Sequence, residues 1–390
     1  MQMSGIKAIV IGAGIGGLAV ARALALRGAQ VTVLEQAEAI EEAGAGLQIS
    51  PNGTAVLRAL GLERGLLSGG AVPARAVALH NQAGREVLRL DLGQVRAQGY
   101  YFVHRADLID LLAQGARDAG VRIRLLQQVD RVHPGTRPEV VMASGAVMNA
   151  DLVIGADGLH SRLRPVLNGT DRPFFTNQVA WRAVIPAWGD AAPVARVDMG
   201  ARRHMVSYPL RDGRARNIVA VQERREWTAE GWHHRDDPDA LRAAFADFGP
   251  QVRDMLAQVE AVNLWGLFRH PVAQVWQQGQ CALLGDAAHP TLPFLAQGAC
   301  MALEDAWVMA DALSGAGDVA EGLHAYQERR EPRVRRTIAA ANGNAWKYHL
   351  RPGPLRMAAH AALRLGGRLA PGAMVRQFDW LYEHDVTQAG

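Results

Sequence analysis

Three glycines near the start of the chain have the spacing of a dinucleotide-binding loop. Gly12, Gly14 and Gly17 fit the pattern G-x-G-x-x-G between an apolar run and a helical stretch. In such a loop the first glycine permits a tight turn, the second lets a pyrophosphate approach the backbone, and the third lets the helix pack on the strand. Glu35 ends the next apolar run, roughly 20 residues on, where a carboxylate can bind ribose hydroxyls. The set predicts a nucleotide site, although a glycine turn in another α/β fold would share the pattern.

A second candidate site lies late in the chain. Asp286 follows the apolar run 281–285, so it should lie at the carboxyl end of a strand, where ligands bind in α/β sheets. An ordinary helix cap is the alternative. Gly298 and Ala299 open a long helical stretch whose free N–H groups and dipole can stabilise negative charge. Pro293 stiffens the preceding loop.

A histidine and a tyrosine are spaced for one face of a strand. His204 and Tyr208 lie four residues apart in the run RHMVSYPL, and even spacing on an extended strand places both on the same side. A histidine titrates near neutral pH and suits proton transfer. Beside Arg202 and Arg203, the same histidine would equally fit an ordinary surface position. Arg182 could bind a substrate carboxylate, and a packing role fits it equally well.

The elements that must hold these residues alternate as in an α/β protein. Four apolar runs are typical of buried parallel strands: 8–11, 31–35, 153–156 and 281–285. Three stretches have helical patterns: the stretch that follows the glycine loop and ends at about 27, and the stretches 54–60 and 106–119. From about 179 to 223, short alternating runs bounded by Pro, Gly and Asp predict an antiparallel sheet. A helix over 238–258 begins with Pro238 at its first position, and the chain from Gly298 onward is mainly helical.

The composition excludes several classes of protein. Of 390 residues, 49% are hydrophobic and 21% are charged, which excludes wholesale disorder. Two cysteines exclude a disulfide scaffold and a cysteine-ligated metal centre, and the pair His233-His234 is typical of a solvated loop, so we predict no metal site. No apolar run reaches about 18 residues and the N-terminus lacks a secretory pattern, so we expect a cytoplasmic protein without stable membrane insertion. A net charge of +4 with interspersed acids is poor evidence for nucleic-acid binding.

Five motifs follow one another along nearly the whole chain: the glycine loop, GAGLQISPN, HRADLIDLL, GADGLHSRLR and GDAAHP. In this order they resemble the single-component FAD-dependent aromatic hydroxylases of the p-hydroxybenzoate, salicylate and 3-hydroxybenzoate hydroxylase type. The resemblance implies an α/β fold, with a Rossmann-like FAD-binding domain, an inserted mixed or antiparallel-sheet substrate domain and a helical C-terminus. The expected boundaries are 1–75, 100–175 and 270–325 for the FAD-binding domain, 76–99 and 176–269 for the substrate domain, and 326–390 for the C-terminal helical segment.

The resemblance also assigns residues to the cofactor. In the family, the aspartate matching Asp286 contacts the ribityl or pyrophosphate region of FAD, and the arginine matching Arg105 contacts the flavin. Asp157 belongs to a second fingerprint linked to both FAD and the nicotinamide nucleotide. A surface ion pair would also account for Arg105, and a capped strand–turn–helix junction for Asp157. The complete set expected at FAD is Gly12, Gly14, Gly17, Glu35, Gln36, Gln48 near the isoalloxazine, Arg105, Val129 at the adenine, Asp157, Asp286, Gly298 and Ala299.

The activity implied is hydroxylation of a small phenolic or heteroaromatic acid, similar to 3-hydroxybenzoate, salicylate or 6-hydroxynicotinate. NADH or NADPH would bind transiently and reduce a non-covalent FAD, and O2 would then form a flavin C4a-hydroperoxide that transfers one oxygen to the ring. The expected catalytic residues are His204, Tyr208 and Pro293, since in one branch a histidine four residues before a tyrosine acts on the substrate hydroxyl. A flavin oxidoreductase without oxygen insertion, and a flavin-binding protein without turnover, stay open as alternatives. The sequence leaves open a monomer or a homodimer.

Overall fold

The computed structural model describes residues 2–40, 45–170, 173–189, 192–224, 226, 234–344 and 348–388 as a mixed α/β protein. The strands are β1 (Lys7–Ile11), β2 (Gln30–Leu34), β3 (Gly46–Ile49), β4 (Val72–Pro73), β5 (Ala76–Asn81), β6 (Glu86–Asp91), β7 (Tyr101–His104), β8 (Arg122–Arg124), β9 (Val129–His133), β10 (Glu139–Met142), β11 (Val147–Asn149), β12 (Leu152–Gly155), β13 (Phe174–Pro186), β14 (Val194–Gly200), β15 (Arg203–Leu210), β16 (Ala215–Glu223), β17 (Arg235–Asp236), β18 (Val262–Arg269), β19 (Gln277–Gln278) and β20 (Cys281–Leu283). The helices are α1 (Ile15–Ala25), α2 (Pro51–Ala59), α3 (Glu63–Ser68), α4 (Arg105–Asp118), α5 (Arg164–Asn168), α6 (Pro238–Ala244), α7 (Pro250–Ala257), α8 (Gly298–Gly315), α9 (Val319–Asn344), α10 (Pro354–Leu369), α11 (Pro371–Arg376) and α12 (Asp379–Tyr382).

A six-stranded sheet in the order β19-β20-β12-β1-β2-β8 frames the glycine loop. Its strands run parallel from β20 to β8, and β19 joins the edge in the antiparallel sense. The central strands are continuous apolar runs because helices cover the sheet, with α1 packed between α4 and α8. The carboxyl ends of β1, β12 and β20 therefore meet at one edge, where Gly12, Ala156 and Leu284 follow the strands.

The second large sheet has eight strands in the order β17-β18-β13-β16-β15-β14-β5-β6. Its pairs are antiparallel except for β5 and β14, which run parallel. On β15, Met205 packs with Trp181 and Phe245 in an apolar core between this sheet and the helices α6 and α7. Because side chains alternate along a strand, His204 and Tyr208 lie on the opposite face.

The α/β class and the strands predicted at 8–11, 31–35, 153–156 and 281–285 are confirmed within a residue or two. The three-stranded sheets β3-β7-β4 and β9-β10-β11 complete the fold. The domain boundaries stay a prediction. No helix in the described ranges is both long enough and apolar enough to cross a bilayer.

The single helix predicted over 238–258 is wrong. Two helices, α6 and α7, occupy the segment, and the chain between them turns at Phe245–Gly249. Pro250 has no N–H to continue a helix and disfavours a helical conformation at Gly249, so it starts α7 instead.

The loop predicted around the histidine pair is only partly right. Arg235 and Asp236 form β17, which pairs with Asn263 and Val262 of β18. His233 lies outside the described residues.

Candidate active site

A cavity of about 360 Å³ lies between the two large sheets. It extends from Gly14, at the start of α1, to His204 on β15, and its other walls include residues of β3, β13, β14, β16, the segment 284–299 and the C-terminal segment 348–382. The volume lies within the range of about 300–1,000 Å³ that small-molecule sites occupy. The strand ends of one sheet and one face of the other therefore open on a common space.

The three glycines of the loop differ in what surrounds them. Gly12 has φ +100°, and a Cβ there would lie 2.5 Å from the backbone oxygen of Ala156. A Cβ on Gly17 would overlap the backbone oxygen of Gly12. At Gly14, by contrast, no described atom lies within 4 Å of the Cβ position, and Gly14 lines the cavity. The first turn of α1, Ile15–Leu18, contains no acidic side chain that would offset the positive end of the helix. Its free N–H groups can therefore bind an anion such as a pyrophosphate.

Glu35 is held against the glycine loop. Its Oε2 accepts a hydrogen bond from the Ala13 N–H at 2.9 Å, and its Oε1 accepts one from the Ala37 N–H at 2.9 Å. Gln36 beside it is exposed, and Val129 is buried at the start of β9. None of these three is among the described residues that line the cavity, so their contacts with FAD stay predictions.

Asp286 and Arg105 both line the cavity. Asp286 lies deep in the protein, yet its side chain is exposed to the cavity. Desolvation by the surrounding protein raises the pKa of its carboxyl, and electrostatic interactions with His289 and Arg105 partly offset that rise. Burial likewise lowers the pKa of the Arg105 guanidinium, and the Asp286 charge opposes this effect. Each group thus favours the charged form of the other across the same space.

Asp157 and the motif that follows it shape the turn after β12. The Arg162 N–H donates to Oδ2 of Asp157 at 2.7 Å, and burial raises the pKa of this carboxyl. Arg164 then reaches across to donate to the backbone oxygens of Ala287 (2.9 Å) and Ala288 (3.0 Å). The motif therefore anchors the chain directly behind the cavity carboxylate, and a cofactor contact of Asp157 stays a prediction.

Gln48 lines the middle of the cavity. The Tyr100 hydroxyl donates to its Oε1 at 2.7 Å, which fixes the side-chain amide. The neighbouring Gly46 N–H donates to Oδ1 of Asn217 on β16 at 2.7 Å, so β3 is tied to the larger sheet. The strand β3 is thereby held in place between the two ends of the cavity.

The N-terminus of α8 also opens on the cavity. Gly298 and Ala299 line it, and so does Pro293, which begins a single helical turn just before α8. Ala296 between the two has φ +54°, in the left-handed region, so the chain turns there before α8 begins. The positive end of the α8 dipole therefore lies at the cavity. This is the arrangement that the sequence predicted for stabilising negative charge.

His204, Val206 and Tyr208 form one wall of the cavity, as the even spacing predicted. Both polar residues are 3% exposed, so the alternative of a surface histidine is wrong. The ring of Tyr208 packs 4.9 Å from that of Phe102, and burial raises the pKa of its hydroxyl. Burial lowers the pKa of His204 well below its ordinary value, and the adjacent His349 lowers it further. His204 is therefore a neutral imidazole at neutral pH.

Arg182 adds a cation to the same space. It lies on β13, lines the cavity, and stacks with its guanidinium carbon 4.4 Å above the ring of Trp265. Burial lowers its pKa to about 9, and the nearby charge of Arg105 contributes. A guanidinium in these surroundings is well placed to bind a carboxylate.

Sequence reasoning missed several residues of the C-terminal segment. His349 lies 145 residues from His204 along the chain, yet its Nε2 lies 2.7 Å from Nδ1 of His204. Tyr348, Phe378 and Tyr382 line the cavity, and the Tyr382 ring meets that of Tyr100 at 5.7 Å. The sequence carries no periodic signal for these contacts, because they join the cavity to residues that lie far along the chain.

Comparisons with known proteins agree with this geometry. A family model described as "FAD binding domain" matches residues 6–341. A 3-amino-4-hydroxybenzoate 2-monooxygenase of Streptomyces platensis is 36% identical, over 98% of this chain and 96% of its own. A 6-hydroxynicotinate 3-monooxygenase of Bordetella bronchiseptica is 34% identical, over 86% of this chain and 91% of its own. The structure of Klebsiella pneumoniae HpxO with FAD and uric acid superimposes with a TM-score of 0.85 at 27% identity, covering 97% of each chain. This chain belongs to the family of single-component FAD-dependent aromatic hydroxylases.

Proposed function

We propose that this protein uses NADH or NADPH and O2 to hydroxylate a small aromatic acid that carries a ring hydroxyl. The observation that carries the proposal is that one cavity has a nucleotide loop at one end and a neutral, buried His204 at the other. Arg182 supplies a cation for the acid group between them. Similar proteins act on 3-amino-4-hydroxybenzoate and 6-hydroxynicotinate, which combine a carboxylate with a ring hydroxyl.

The residues at the loop end fit FAD. The open space above Gly14 accommodates a pyrophosphate, the N-termini of α1 and α8 favour negative charge, and Asp286 offers a carboxylate to hydroxyl groups. When bound, FAD supplies the electron transfer and oxygen activation that the protein's own side chains cannot provide. We propose that the cofactor is held without a covalent bond, and that denaturing the protein with acid releases it.

We expect Gly14→Val and Asp286→Ala each to lose FAD while the chain stays folded. Valine at position 14 would extend into the space left for the pyrophosphate, and loss of a hydrogen bond to a charged group weakens binding by about 1.5–3 kcal/mol, or about 10–100-fold. The measurement is the dissociation constant of FAD from flavin fluorescence. Gly135→Val is the matched control, because a Cβ at Gly135 also meets open space and Gly135 is not among the residues that line the cavity. FAD affinity equal to wild type in both variants would contradict the site.

At the other end, the protein's task is to hold the ring and take a proton. The neutral imidazole of His204 accepts the proton of the substrate hydroxyl, and the resulting oxyanion makes the ring more electron-rich. Tyr208 and the apolar side chains Val197, Val206 and Val219 surround the ring and exclude water. Arg182 holds the carboxylate and so orients the ring between histidine and cofactor.

We expect Arg182→Gln to raise KM for hydroxylated aromatic acids by about 10–100-fold, because a charge-assisted hydrogen bond is worth about 1.5–3 kcal/mol. The corresponding aromatic amides provide the control, since their KM should change little. An equal loss for acids and amides would show that Arg182 acts through packing on Trp265.

A panel of aromatic acids tests the proposed activity. The purified holoenzyme is given NADH or NADPH with 3-hydroxybenzoate, salicylate, 6-hydroxynicotinate or 3-amino-4-hydroxybenzoate. We expect at least one acid to stimulate oxidation of the nicotinamide cofactor and to yield a hydroxylated product. Stimulated oxidation without any hydroxylated product would favour a flavin oxidoreductase. No stimulation by any acid would favour a flavin-binding protein without turnover.

A further inference from the structure

A line of hydrogen bonds leads from the cavity to the protein surface. Nδ1 of His204 lies 2.7 Å from Nε2 of His349, and Nδ1 of His349 lies 3.0 Å from Oε1 of Glu223. Both histidines are buried, whereas the Glu223 side chain is 30% exposed. Arg202 donates from Nε to the other carboxylate oxygen at 2.9 Å and fixes its position. Three proton-carrying groups thus stand in contact between the cavity wall and solvent.

The carboxylate sets the tautomer of both imidazoles. Burial would raise the pKa of Glu223, but hydrogen bonds from Arg202 and His349 outweigh it and keep the group ionised. An ionised carboxylate only accepts, so the His349 Nδ1 must carry a hydrogen and its Nε2 must be the acceptor. The Nδ1 of His204 then donates to that Nε2. This leaves Nε2 as the lone-pair nitrogen of His204, the ring that lines the cavity.

We propose that His349 and Glu223 form a proton relay that carries the proton of the substrate hydroxyl from His204 to solvent. The inference rests on the proposed function. The hydroxyl O–H bond breaks as an N–H bond forms at Nε2 of His204. The Nδ1 proton of His204 passes to Nε2 of His349, and the Nδ1 proton of His349 passes to Oε1 of Glu223, which releases it to water. One proton enters the chain and one leaves, so both imidazoles end neutral.

The surroundings of His204 make such an exit necessary. Its ring packs 5.3 Å from that of Tyr348 and 6.1 Å from that of Phe294, so the histidine is enclosed by aromatic side chains. A proton kept on this imidazole would be a buried cation, which is costly in apolar surroundings. Passing the charge to Glu223 moves it to a partly exposed carboxylate that Arg202 already neutralises. The relay therefore lets the substrate oxyanion form without a trapped imidazolium.

The first test needs no substrate. Nitrogen-15 NMR of the holoenzyme reports the tautomer of each histidine, with the two signals assigned from His204→Gln and His349→Gln. We expect His204 and His349 both to be neutral and to carry their hydrogen on Nδ1. A hydrogen on Nε2 of His349 would overturn the relay and leave the proposed function standing.

The second test follows the proton itself. Holoenzyme is mixed rapidly with 3-amino-4-hydroxybenzoate, or with whichever acid of the panel is a substrate, and absorbance reports the ionised phenol while an indicator dye reports the released proton. We expect His349→Gln, which keeps a hydrogen-bond acceptor but cannot relay, to slow both signals by about tenfold or more while the Kd of the acid stays at the wild-type value. A purely structural role would change Kd instead.

His80→Gln is the matched control for this test. His80 is a buried histidine on β5 of the same sheet, outside the residues that line the described cavity, so its replacement should leave both signals at the wild-type rate. Equal rates in wild type and His349→Gln would overturn the relay. If wild type ionises none of the acids, the proposed function fails instead, and the two failures are therefore distinct.

Discussion

Replacing His204 by alanine should uncouple the reaction: the nicotinamide cofactor is still oxidised, but hydrogen peroxide replaces the hydroxylated product. Attack on the ring is favoured when the substrate hydroxyl has lost its proton, and His204 is the buried neutral imidazole on the cavity wall that can take it. A positioned base contributes typically about 10²–10⁴-fold, so we expect product formation to slow by that order. Reduction of the cofactor does not need this proton transfer and should slow much less.

The ratio of hydroxylated product to NAD(P)H consumed measures this effect directly. His80→Ala serves as the control, since it removes a buried histidine from the same sheet outside the cavity walls described above. Tyr208→Phe should mainly weaken substrate binding, because it keeps the packing against Phe102 and removes one hydroxyl. An unchanged ratio and an unchanged rate in His204→Ala would show that this histidine takes no part in catalysis.

Loss of Arg330 should cause the largest fall in stability. Its guanidinium donates from Nη1 to Glu304 at 2.6 Å and from Nε to Asp305 at 2.7 Å, and all three side chains are at most 1% exposed. Arg330→Met would leave these two negatively charged carboxylates buried near one another without the positive charge of the Arg330 guanidinium. Removing one partner of a buried ion pair costs about 3–5 kcal/mol, and we expect the free energy of unfolding to fall by that amount.

Urea unfolding of the two proteins measures the difference. Arg335→Met is the control, because Arg335 is exposed and its partner Glu331 is partly exposed, and surface pairs are worth about 0–1 kcal/mol. Arg330→Lys keeps the charge and should recover part of the loss, which also covers the case in which the methionine variant does not fold. A loss below about 1 kcal/mol in both Arg330 variants would contradict a stabilising role for the cluster.

The same cluster predicts a pH dependence of stability. Burial alone would raise the pKa of both carboxyls. Arg330 and Arg333 lower that of Glu304, and His289 and Arg330 lower that of Asp305, each to about 2. Because the pKa is lower in the folded than in the unfolded protein, this contribution is fully present above about pH 5 and is lost as pH falls toward 2. Arg330→Met should show a weaker acid destabilisation over that interval than wild type.

The sequence predicted those parts of the site that depend on local spacing. The glycine loop follows from three positions within one strand–helix turn, and the shared face of His204 and Tyr208 follows from the two-residue period of a strand. His349 could not be found in this way, because its contact with His204 depends on where a distant segment packs. The break between α6 and α7 did have a signal, since Pro250 stands where a continuous helix needs an N–H.

For Arg182, the sequence favoured neither a ligand nor a packing role, and in the structure it both lines the cavity and stacks on Trp265. Its side chain alternates with Trp181, which points to the opposite core. Arg182 lines the cavity because of how the whole strand β13 is oriented relative to the glycine loop. That orientation is set by the pairing of β13 with β16 and β18, which residue spacing alone does not reveal.

Incorporation of labelled oxygen tests the proposed monooxygenation most directly. The holoenzyme is incubated with ¹⁸O₂, the preferred nicotinamide cofactor and the aromatic acid that most strongly stimulates oxidation of that cofactor. The molecular mass of the product is then measured by mass spectrometry. We expect one ¹⁸O atom in each product molecule, and none when the label is supplied as water instead. Cofactor oxidation that places no oxygen from O2 in the aromatic product would contradict the proposal that this cavity hydroxylates the ring.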